Sequence, residues 1–500
     1  METRKVVVVL AAVTTVSTVV ALTLSVRSFN RRSERRRRHA HRILRKFARD
    51  CATPVQKLRS IADDVVSDMR NSLSPPDRKC GGLQMLPCDV ASLPTGEEKG
   101  LHYGINLRGD NFLILQAKLG GKNEPVTELS RQEITIPMDV INGTSKDLFD
   151  LIGLELAKFM TMHGESTRNG QGHRKLGFTI SQLPVVEASA SMEAAIRVNG
   201  SSIGILPNQA KEVYVNEINE CLEKHGVDLR VLALVDDTIG VLAGGRYYSQ
   251  ESVTAVTLGM GTNAAYVESS SAVEKWPFGK PHKFSETVVD MQWGNFYSSN
   301  LPVTEFDLSL DTESSNPGCR RFEKLISGMY LGEIVRRVLL KIARETCLFG
   351  DIVPPKLSVP YLLRSPDMAA MHQDMSEDYE VISEKLKEIF EITNSDPVSR
   401  AIVSDICDIV AQRAARLVGA GVIGILNKLE RLDKRISIVT VDGGLYEHYR
   451  VFRSYLNGSV WEMLGNELSD NVILEHSHGG SGAGAVFLAA LHSQPSNLNN

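Results

Sequence analysis

The sequence predicts an α/β protein built from two similar halves. Segment 102–121, HYGINLRGDNFLILQAKLGG, alternates short apolar runs around a Gly/Asn/Asp turn, which predicts a strand, a tight hairpin and a second strand. Segment 253–268, VTAVTLGMGTNAAYVE, repeats that pattern about 150 residues later and predicts an internal duplication in which one glycine hairpin from each half faces a cleft. Apolar residues at spacings of three and four in segments 323–345 and 405–430 predict long core-facing helices.

The length and composition place the chain among folded proteins. Five hundred residues are more than one hydrophobic core usually spans, so two or three domains are expected. Hydrophobic residues make up 42% and charged residues 23% of the chain, which excludes a disordered, collagen-like or multi-span membrane protein. The seven cysteines are scattered, without a CxxC pair or Cys/His zinc spacing, and this favours a reducing compartment.

Charge is segregated along the chain. Residues 1–49 hold thirteen Lys and Arg against two Glu, a net charge of +11, so the rest of this −4 chain carries −15. A body this acidic is a poor general binder of nucleic acid, and no nucleic acid is expected as a partner.

An apolar run precedes most of the basic residues. Residues 6–26 are 21 consecutive uncharged residues, enough for a helix that crosses a hydrocarbon core of about 30 Å. Eleven Lys and Arg follow the run and two precede it, which predicts a single-pass membrane anchor, a cytosolic body and contact of the Arg35–Arg38 block with anionic lipid. A cleaved signal peptide is disfavoured because the basic block follows the apolar run. A solvated linker and a nuclear signal are the other interpretations of the arginines.

An ordered series of motifs resembles the hexokinase family from about residue 100 to 490. The motifs are LGFTIS (176–181), LALVDDTIGVLAGGRYY (232–248), TLGMGTNAAYVE (257–268), QWGNF (292–296), LPVTEFD (301–307), SNPG (315–318), FEKLISGMYLGE (322–333) and VDGGLYEHY (441–449). With the N-terminal apolar run, the chain is most similar to membrane-anchored plant hexokinases and their hexokinase-like relatives. The resemblance implies an actin-like (ribonuclease H-like), duplicated two-lobed fold whose cleft closes on a hexose, with ATP and Mg²⁺ as cofactors.

The resemblance also divides the chain. It implies a transmembrane anchor and basic linker at 1–49, a small lobe at 50–240, a large lobe at 241–490 and a tail at 491–500. It implies the outer mitochondrial membrane as the location of the anchor.

The implied active site contains a carboxylate base. The family transfers the γ-phosphoryl group of ATP to the 6-hydroxyl of a hexose, and a carboxylate must accept the hydroxyl proton. Asp237 matches that base; without the resemblance, an Asp before Thr at a strand end is typical of a helix N-cap. Asp236 stands where the family has a sugar-contacting asparagine, and two adjacent carboxylates repel each other.

The implied sugar contacts are partly retained. Gln292 stands where the family has a glutamate, and an amide accepts a hydroxyl less strongly than a charged carboxylate does. The family's KWTKGF segment is replaced by IRVNGSSI at 196–203, where Asn199 is the candidate in the right neighbourhood. The polar family positions that this chain matches are Ser181, Asn263 and Glu323.

The implied nucleotide site is more altered. The first hairpin reads NLRGDN (106–111) where the family has DLGGTN, so Asn106 replaces a carboxylate that helps to hold hydrated Mg²⁺. Arg108 replaces a glycine that lets the backbone approach phosphate, and Asp110 places negative charge where phosphate is expected. No residue is assigned as a direct metal ligand. The nucleotide-binding residues that the resemblance implies are Gly109, Asp110, Asn111, Gly259, Gly261, Thr262, Asp442, Gly443, Gly444 and Gly480.

These changes predict a hexokinase-type phosphotransferase whose activity is weak or lost and which has a sugar-sensing or regulatory role. Losing one preorganised transition-state contact typically costs about 10²–10³ in rate. The alternative is an active glucose- and fructose-phosphorylating enzyme, supported by Asp237, Asn263, Glu323 and Thr262. A polybasic nucleic-acid-binding protein is a third class, which the acidic body disfavours.

Overall fold

The computed structural model describes most of the chain. It covers residues 34–73, 82–88, 93–122, 124, 126–163, 174–181, 197–198, 201–202, 208–273, 285–433, 435–479 and 482–491. The predicted anchor at 6–26, the tail after residue 491 and the candidates Asn199 and Gly480 lie outside the described residues.

The described strands form one main sheet in each half of the chain. The short strands β6 and β7 pair only with each other. The strands are β1 (Leu86–Pro87), β2 (Lys99–Arg108), β3 (Asn111–Gly120), β4 (Val126–Thr135), β5 (Arg174–Ile180), β6 (Arg197–Val198), β7 (Ser201–Ser202), β8 (Leu229–Asp236), β9 (Ser252–Leu258), β10 (Thr262–Ser269), β11 (Glu286–Asp290), β12 (Ser437–Asp442) and β13 (Val472–His476).

The two sheets share one topology. In the first sheet, β2, β3 and β4 form an antiparallel meander, and β5 and β8 add in parallel on the other side of β2. In the second sheet, β9, β10 and β11 form the same meander, and β12 and β13 add in parallel beside β9. Strand β1 extends the second sheet beyond β11. This repeat confirms the predicted internal duplication.

The helices alternate with the strands, as expected for the predicted α/β class. Short 3₁₀ turns connect some of them. The helices are α1 (34–50), α2 (Val55–Leu73), α3 (Met138–Ile141), α4 (Ser145–Met162), α5 (Asn208–Lys224), α6 (Asp237–Tyr248), α7 (Glu305–Glu313), α8 (Arg321–Ile326), α9 (Gly328–Thr346), α10 (Ser365–His372), α11 (Glu380–Phe390), α12 (Pro397–Lys428), α13 (Gly444–Glu447), α14 (Arg450–Leu464) and α15 (Gly484–Leu491).

Helices α6 and α15 lie between the two sheets. Their apolar residues share one buried cluster with residues of β3, β9 and β10. Glycines allow the close approach, because a Cβ on Gly177 would lie 1.7 Å from the carbonyl oxygen of Ala485, and a Cβ on Gly484 would lie 2.1 Å from the carbonyl carbon of Gly240. Since α15 follows β13 of the second sheet but packs on β2 and β5 of the first, it ties the two halves together.

The helices that precede the first sheet belong to the core of the second half. Ala40, Leu44 and Phe47 of α1 are buried in that core, and Phe47 meets Phe306 edge to face at a centroid distance of 5.3 Å. Residues 34–49 are therefore a folded helix and not the linker that the sequence analysis expected. One face of α1 is apolar and packs on that core, whereas the domain bounds stay a prediction.

Among the described residues, one helix is long and apolar enough to cross a membrane. This helix is α12, which has 32 residues. However, 83% of the most apolar stretch of α12 is buried inside the protein, so its length and composition are also those of a core helix.

Candidate active site

The predicted base lies where a strand of the first sheet changes into helix α6. Asp236 is the last residue of β8, and Asp237 is the first residue of α6. The Asp236 side chain caps the helix, because it accepts a hydrogen bond from the backbone N–H of Thr238 at 2.9 Å. The N-cap role considered for Asp237 therefore belongs to Asp236.

Asp237 has an environment that disfavours negative charge. Burial raises the pKa of Asp237 well above its usual value, and the Asp236 and Asp442 carboxylates raise it further. Two neighbours oppose this effect: Ser181 Oγ donates a hydrogen bond of 2.6 Å to Asp237 Oδ2, and the Arg108 guanidinium attracts the carboxylate. A carboxyl group with a raised pKa suits proton transfer near neutral pH.

A further carboxylate, Asp290, joins Asp236, Asn263 and Gln292 in a hydrogen-bonded cluster, which we call the floor of the expected cleft. Asn263 Nδ2 donates hydrogen bonds to Asp236 Oδ1 at 3.1 Å and to Asp290 Oδ1 at 2.8 Å. Gln292 Nε2 donates to Asp290 Oδ2 at 2.7 Å. Asp290 is not among the sequence candidates, because its burial at the end of β11, two positions before Gln292, is known only from the structure.

Two buried oxygen atoms on this floor have no hydrogen-bond partner among the described residues. They are Asp236 Oδ2 and Gln292 Oε1. Both side chains belong to residues that are at most 3% exposed. An unsatisfied buried acceptor typically costs about 1–3 kcal/mol, so these atoms favour a ligand that brings hydroxyl donors.

The Glu323 carboxylate is buried beside the second hairpin. Its Oε1 accepts hydrogen bonds from the backbone N–H of Thr262 at 3.3 Å and from Arg320 Nη2 at 2.8 Å, and its Oε2 accepts from Arg320 Nε. Trp293 Nε1 donates to Thr262 Oγ1 at 3.0 Å, which holds the start of β10. Arg320 is not among the sequence candidates, because its approach to Glu323 depends on the backbone before α8.

The fold brings the described sugar candidates into one region. Those on β8, α6 and the end of β5 come from the first half, and the others come from the second half. The hydrogen bond from Asn263 Nδ2 to Asp236 Oδ1 connects the two groups, and hydrogen bonds through Asp290 and the backbone of Thr262 join residues of the second group. Their roles as sugar ligands stay predictions. The residues brought together are Ser181, Asp236, Asp237, Asn263, Gln292 and Glu323.

The first hairpin ends in a charged two-residue turn. Strands β2 and β3 pair up to Arg108 and Asn111, which leaves Gly109, at φ 25°, and Asp110 as the turn. Burial lowers the pKa of Arg108, attraction to Asp237 raises it, repulsion from Arg131 lowers it, and attraction to Asp442 and Glu133 raises it. The guanidinium therefore lies within electrostatic reach of the predicted base.

The second hairpin meets the end of β12. The backbone N–H of Gly259 donates to the carbonyl of Gly261 at 3.0 Å. Gly443 has φ 108°, and a Cβ there would lie 2.5 Å from the carbonyl oxygen of Leu258, so this contact requires glycine. Ser477 Oγ donates to the buried Asp442. The nucleotide candidates that the fold brings together here are Gly259, Gly261, Thr262, Asp442, Gly443 and Gly444.

Comparison with known proteins decides the family. Two family models described as hexokinase match the chain, one over residues 43–247 and the other over residues 253–491. The chain belongs to the hexokinase family. Hexokinase-1 of Spinacia oleracea is 47% identical over 459 residues, which are 90% of this chain and 91% of that hexokinase. Hexokinase-1 of Nicotiana tabacum is 45% identical over 494 residues, which are 97% of each chain.

Solved structures agree with this hexokinase fold. The hexokinase of Schistosoma mansoni complexed with glucose matches with a TM-score of 0.73 and 27% identity, over 90% of this chain and 99% of that one. The predicted duplicated, two-lobed hexokinase fold is therefore confirmed. Hexokinases as a family phosphorylate hexoses with ATP and Mg²⁺.

Proposed function

We propose that this hexokinase binds a hexose in its cleft, transfers the phosphoryl group of ATP weakly, and serves as a sugar-responsive regulator. The proposal of weak transfer rests on one observation: the Arg108 guanidinium interacts electrostatically with both Asp237 and Asp442. An internal cation thus compensates the carboxylates beside which metal-bound phosphate has to sit in this family.

Hexose binding is supported by the polar floor of the cleft. The unpaired acceptors Asp236 Oδ2 and Gln292 Oε1 are satisfied if hydroxyl groups occupy the cleft. Ser181 donates a hydrogen bond to Asp237 and Asn263 donates one to Asp236, so both side chains supply further polar contacts beside the two aspartates. The Schistosoma mansoni hexokinase binds glucose, and the hydroxyl groups of such a sugar suit the unpaired acceptors of this floor.

Weak phosphoryl transfer is supported by a poor fit of the first hairpin to a magnesium-bound triphosphate. Asn106 offers an amide where a hard cation prefers a carboxylate, and its Nδ2 is buried without a partner among the described residues. A Cβ on Gly482 would lie only 2.9 Å from that nitrogen, so the loop before α15 crowds it. Asp110 adds negative charge at the turn. We therefore assign no phosphate contact to this hairpin.

A second candidate function is that of an active enzyme that phosphorylates glucose and fructose. The short contact between Ser181 and Asp237 favours it, because a proton acceptor with a raised pKa is held in the cleft. The identity of 47% to Hexokinase-1 of Spinacia oleracea also favours it.

Calorimetry and a coupled phosphorylation assay on the full chain distinguish the two functions. The full chain is needed, since Phe47 and its neighbours on α1 contribute to the core. We expect glucose to bind, and turnover to lie about 100-fold or more below that of Spinacia oleracea Hexokinase-1 assayed beside it. Turnover close to that of the relative, abolished by Asp237→Ala, supports the second candidate instead. No heat with saturating glucose contradicts the proposal of hexose binding.

We also propose that the protein is anchored by residues 6–26 and that α1 rests on an anionic membrane surface, as at the outer mitochondrial membrane. The apolar face of α1 is buried in the body, and its opposite face is exposed. The exposed face carries arginines at alternating spacings of three and four, which align on one side of a helix. These are Arg35, Arg38, Arg42, Arg45 and Arg49.

A competition between vesicles tests the arginine face. Each basic residue near an anionic surface contributes about 1 kcal/mol, so the full chain is expected to prefer vesicles with phosphatidylserine over neutral ones by tenfold or more. Changing four arginines to glutamine, at 38, 42, 45 and 49, is expected to remove that preference. The matched control changes four exposed lysines of the first half and should keep the preference for anionic vesicles. These lysines are Lys118, Lys122, Lys158 and Lys224. Equal preference in both variants contradicts the proposal.

A further inference from the structure

One arginine covers a side chain that the hexose is expected to contact. Both carboxylate oxygens of Glu323 accept hydrogen bonds from Arg320, one from Nε and the other from Nη2 at 2.8 Å. Such a bidentate pair is the strongest contact that a carboxylate makes with a side chain. The Glu323 side chain is 0% exposed and that of Arg320 is 13% exposed, so the arginine forms the solvent side of the pair.

The surrounding backbone is built to hold this pair. Arg320 has a left-handed conformation, φ 50°, directly before α8, which is an uncommon conformation for a residue with a side chain. Gly294 lies beneath the guanidinium, because a Cβ there would lie 3.5 Å from Arg320 Nη2 and 3.1 Å from the Cβ of Glu323. The guanidinium thus occupies a space that the absence of a side chain at Gly294 leaves open.

Arg320 also interacts electrostatically with the second predicted sugar contact. The negative charge of Asp236 is among the groups that attract its guanidinium. One cation therefore interacts with two carboxylates of this site, at Asp236 and Glu323. A neutral hexose that approaches this floor meets carboxylates that are already compensated.

We propose that Arg320 determines hexose affinity by occupying the Glu323 carboxylate, so that a hexose binds only when the guanidinium moves away. The inference rests on the proposed binding of a hexose in this cleft. The free protein spends most of its time with the pair closed, and the observed affinity is reduced by the fraction that is open. A sugar hydroxyl is a weaker partner for a carboxylate than a bidentate guanidinium is.

The adjacent arginine supplies a matched control. The Arg321 side chain is 40% exposed, lies over the ring of Tyr297 at 4.9 Å and approaches Asp311 at 3.9 Å. It has the same charge and lies one residue further along the chain, but among the described residues it forms no hydrogen bond or ion pair with Glu323. Arg321→Gln is therefore expected to leave the dissociation constant for glucose within about twofold of the wild type.

Calorimetric titration of the full chain with glucose tests the proposal. Arg320→Gln is expected to lower the dissociation constant at least tenfold. The double variant Arg320→Gln/Glu323→Gln is expected to lose that gain, since the freed carboxylate is what the sugar binds. A gain that survives in the double variant means that Arg320 acts by some route other than Glu323, and it overturns the proposal.

The remaining outcomes separate this inference from the proposed function. If the wild type and Arg320→Gln bind glucose with equal affinity, the inference fails and hexose binding stands. If neither binds at saturating glucose, both fail. Arg320→Gln leaves Glu323 buried without its cation and is expected to lower the melting temperature of the free protein. If it does not fold, Arg320→Lys, which keeps the charge but makes a single-point contact, replaces it; an affinity equal to that of the wild type then overturns the inference.

Discussion

Restoring the first hairpin is expected to raise kcat/KM for glucose phosphorylation by about 100-fold or more. The variant combines Asn106→Asp, Arg108→Gly and Asp110→Thr. It returns a carboxylate for hydrated Mg²⁺, removes the cation that compensates Asp237 and Asp442, and removes the negative charge at the turn. The three positions act on one phosphate group, so their effects are expected to be far from additive, and the single changes are expected to give much smaller gains.

A coupled assay on the full chain measures this gain. Arg131 on β4 provides the control, because it is exposed and interacts electrostatically with Arg108 but is outside the turn. Arg131→Gly is expected to change kcat/KM by less than about threefold. If the triple variant folds and gains nothing, the hairpin is not the defect, and the altered sugar segment at 196–203 becomes the first suspect.

Replacing the predicted base by Asp237→Asn is expected to remove residual phosphorylation, by about 10²–10⁴, while raising the melting temperature. Burial and the neighbouring carboxylate of Asp236 both disfavour a charge at Asp237, so a neutral amide relieves a native-state cost. The thermal gain is expected to be full at a pH above the raised pKa of Asp237. It should shrink as the pH falls through that pKa, because the wild-type group then becomes neutral as well.

Asp236→Asn tests how far the neighbouring charge raises the pKa of Asp237. Asparagine caps a helix about as well as aspartate does, so the start of α6 should persist. Removing the adjacent charge lowers the pKa of Asp237, and the acidic limb of the pH–rate profile should move to lower pH. Melting curves at several pH values and a pH–rate profile measure both effects. Residual turnover that is unchanged in Asp237→Asn contradicts the assignment of the base.

The two glycine hairpins carried most of the fold prediction. A short glycine-containing turn flanked by alternating apolar residues predicts a hairpin from the local sequence alone. Two copies of that pattern then predicted a duplication, and the shared strand order of the two sheets confirms it. The same local logic placed Asp237 at the end of a strand, at the edge where α/β folds gather polar side chains.

Contacts between distant segments could not be predicted in this way. The sequence analysis predicted neither the helix at α1 nor the burial of its Phe47 against Phe306. Arginines on the other faces of this helix dominate the composition of the segment, so it was interpreted as a linker. The roles of Asp290 and Arg320 depend on β11 and the loop before α8 reaching the same floor of the cleft. Neither residue belongs to a local pattern that distinguishes it from a surface charge.

By itself, the sequence determined the α/β class, the duplication and the family, and it predicted Asp237 as the base. Each of these is encoded in short-range patterns, namely turn residues, apolar spacing and ordered motifs. Only the tertiary structure decided that Arg320 pairs with Glu323 and that Arg108 interacts electrostatically with Asp237 and Asp442. The physical reason is that electrostatic and hydrogen-bond partners are selected by distance in space. Arg320 and Glu323 are only three residues apart, but their pairing depends on the left-handed backbone at Arg320, whereas Arg108, Asp237 and Asp442 are far apart in the chain and interact once the two halves fold around α6 and α15.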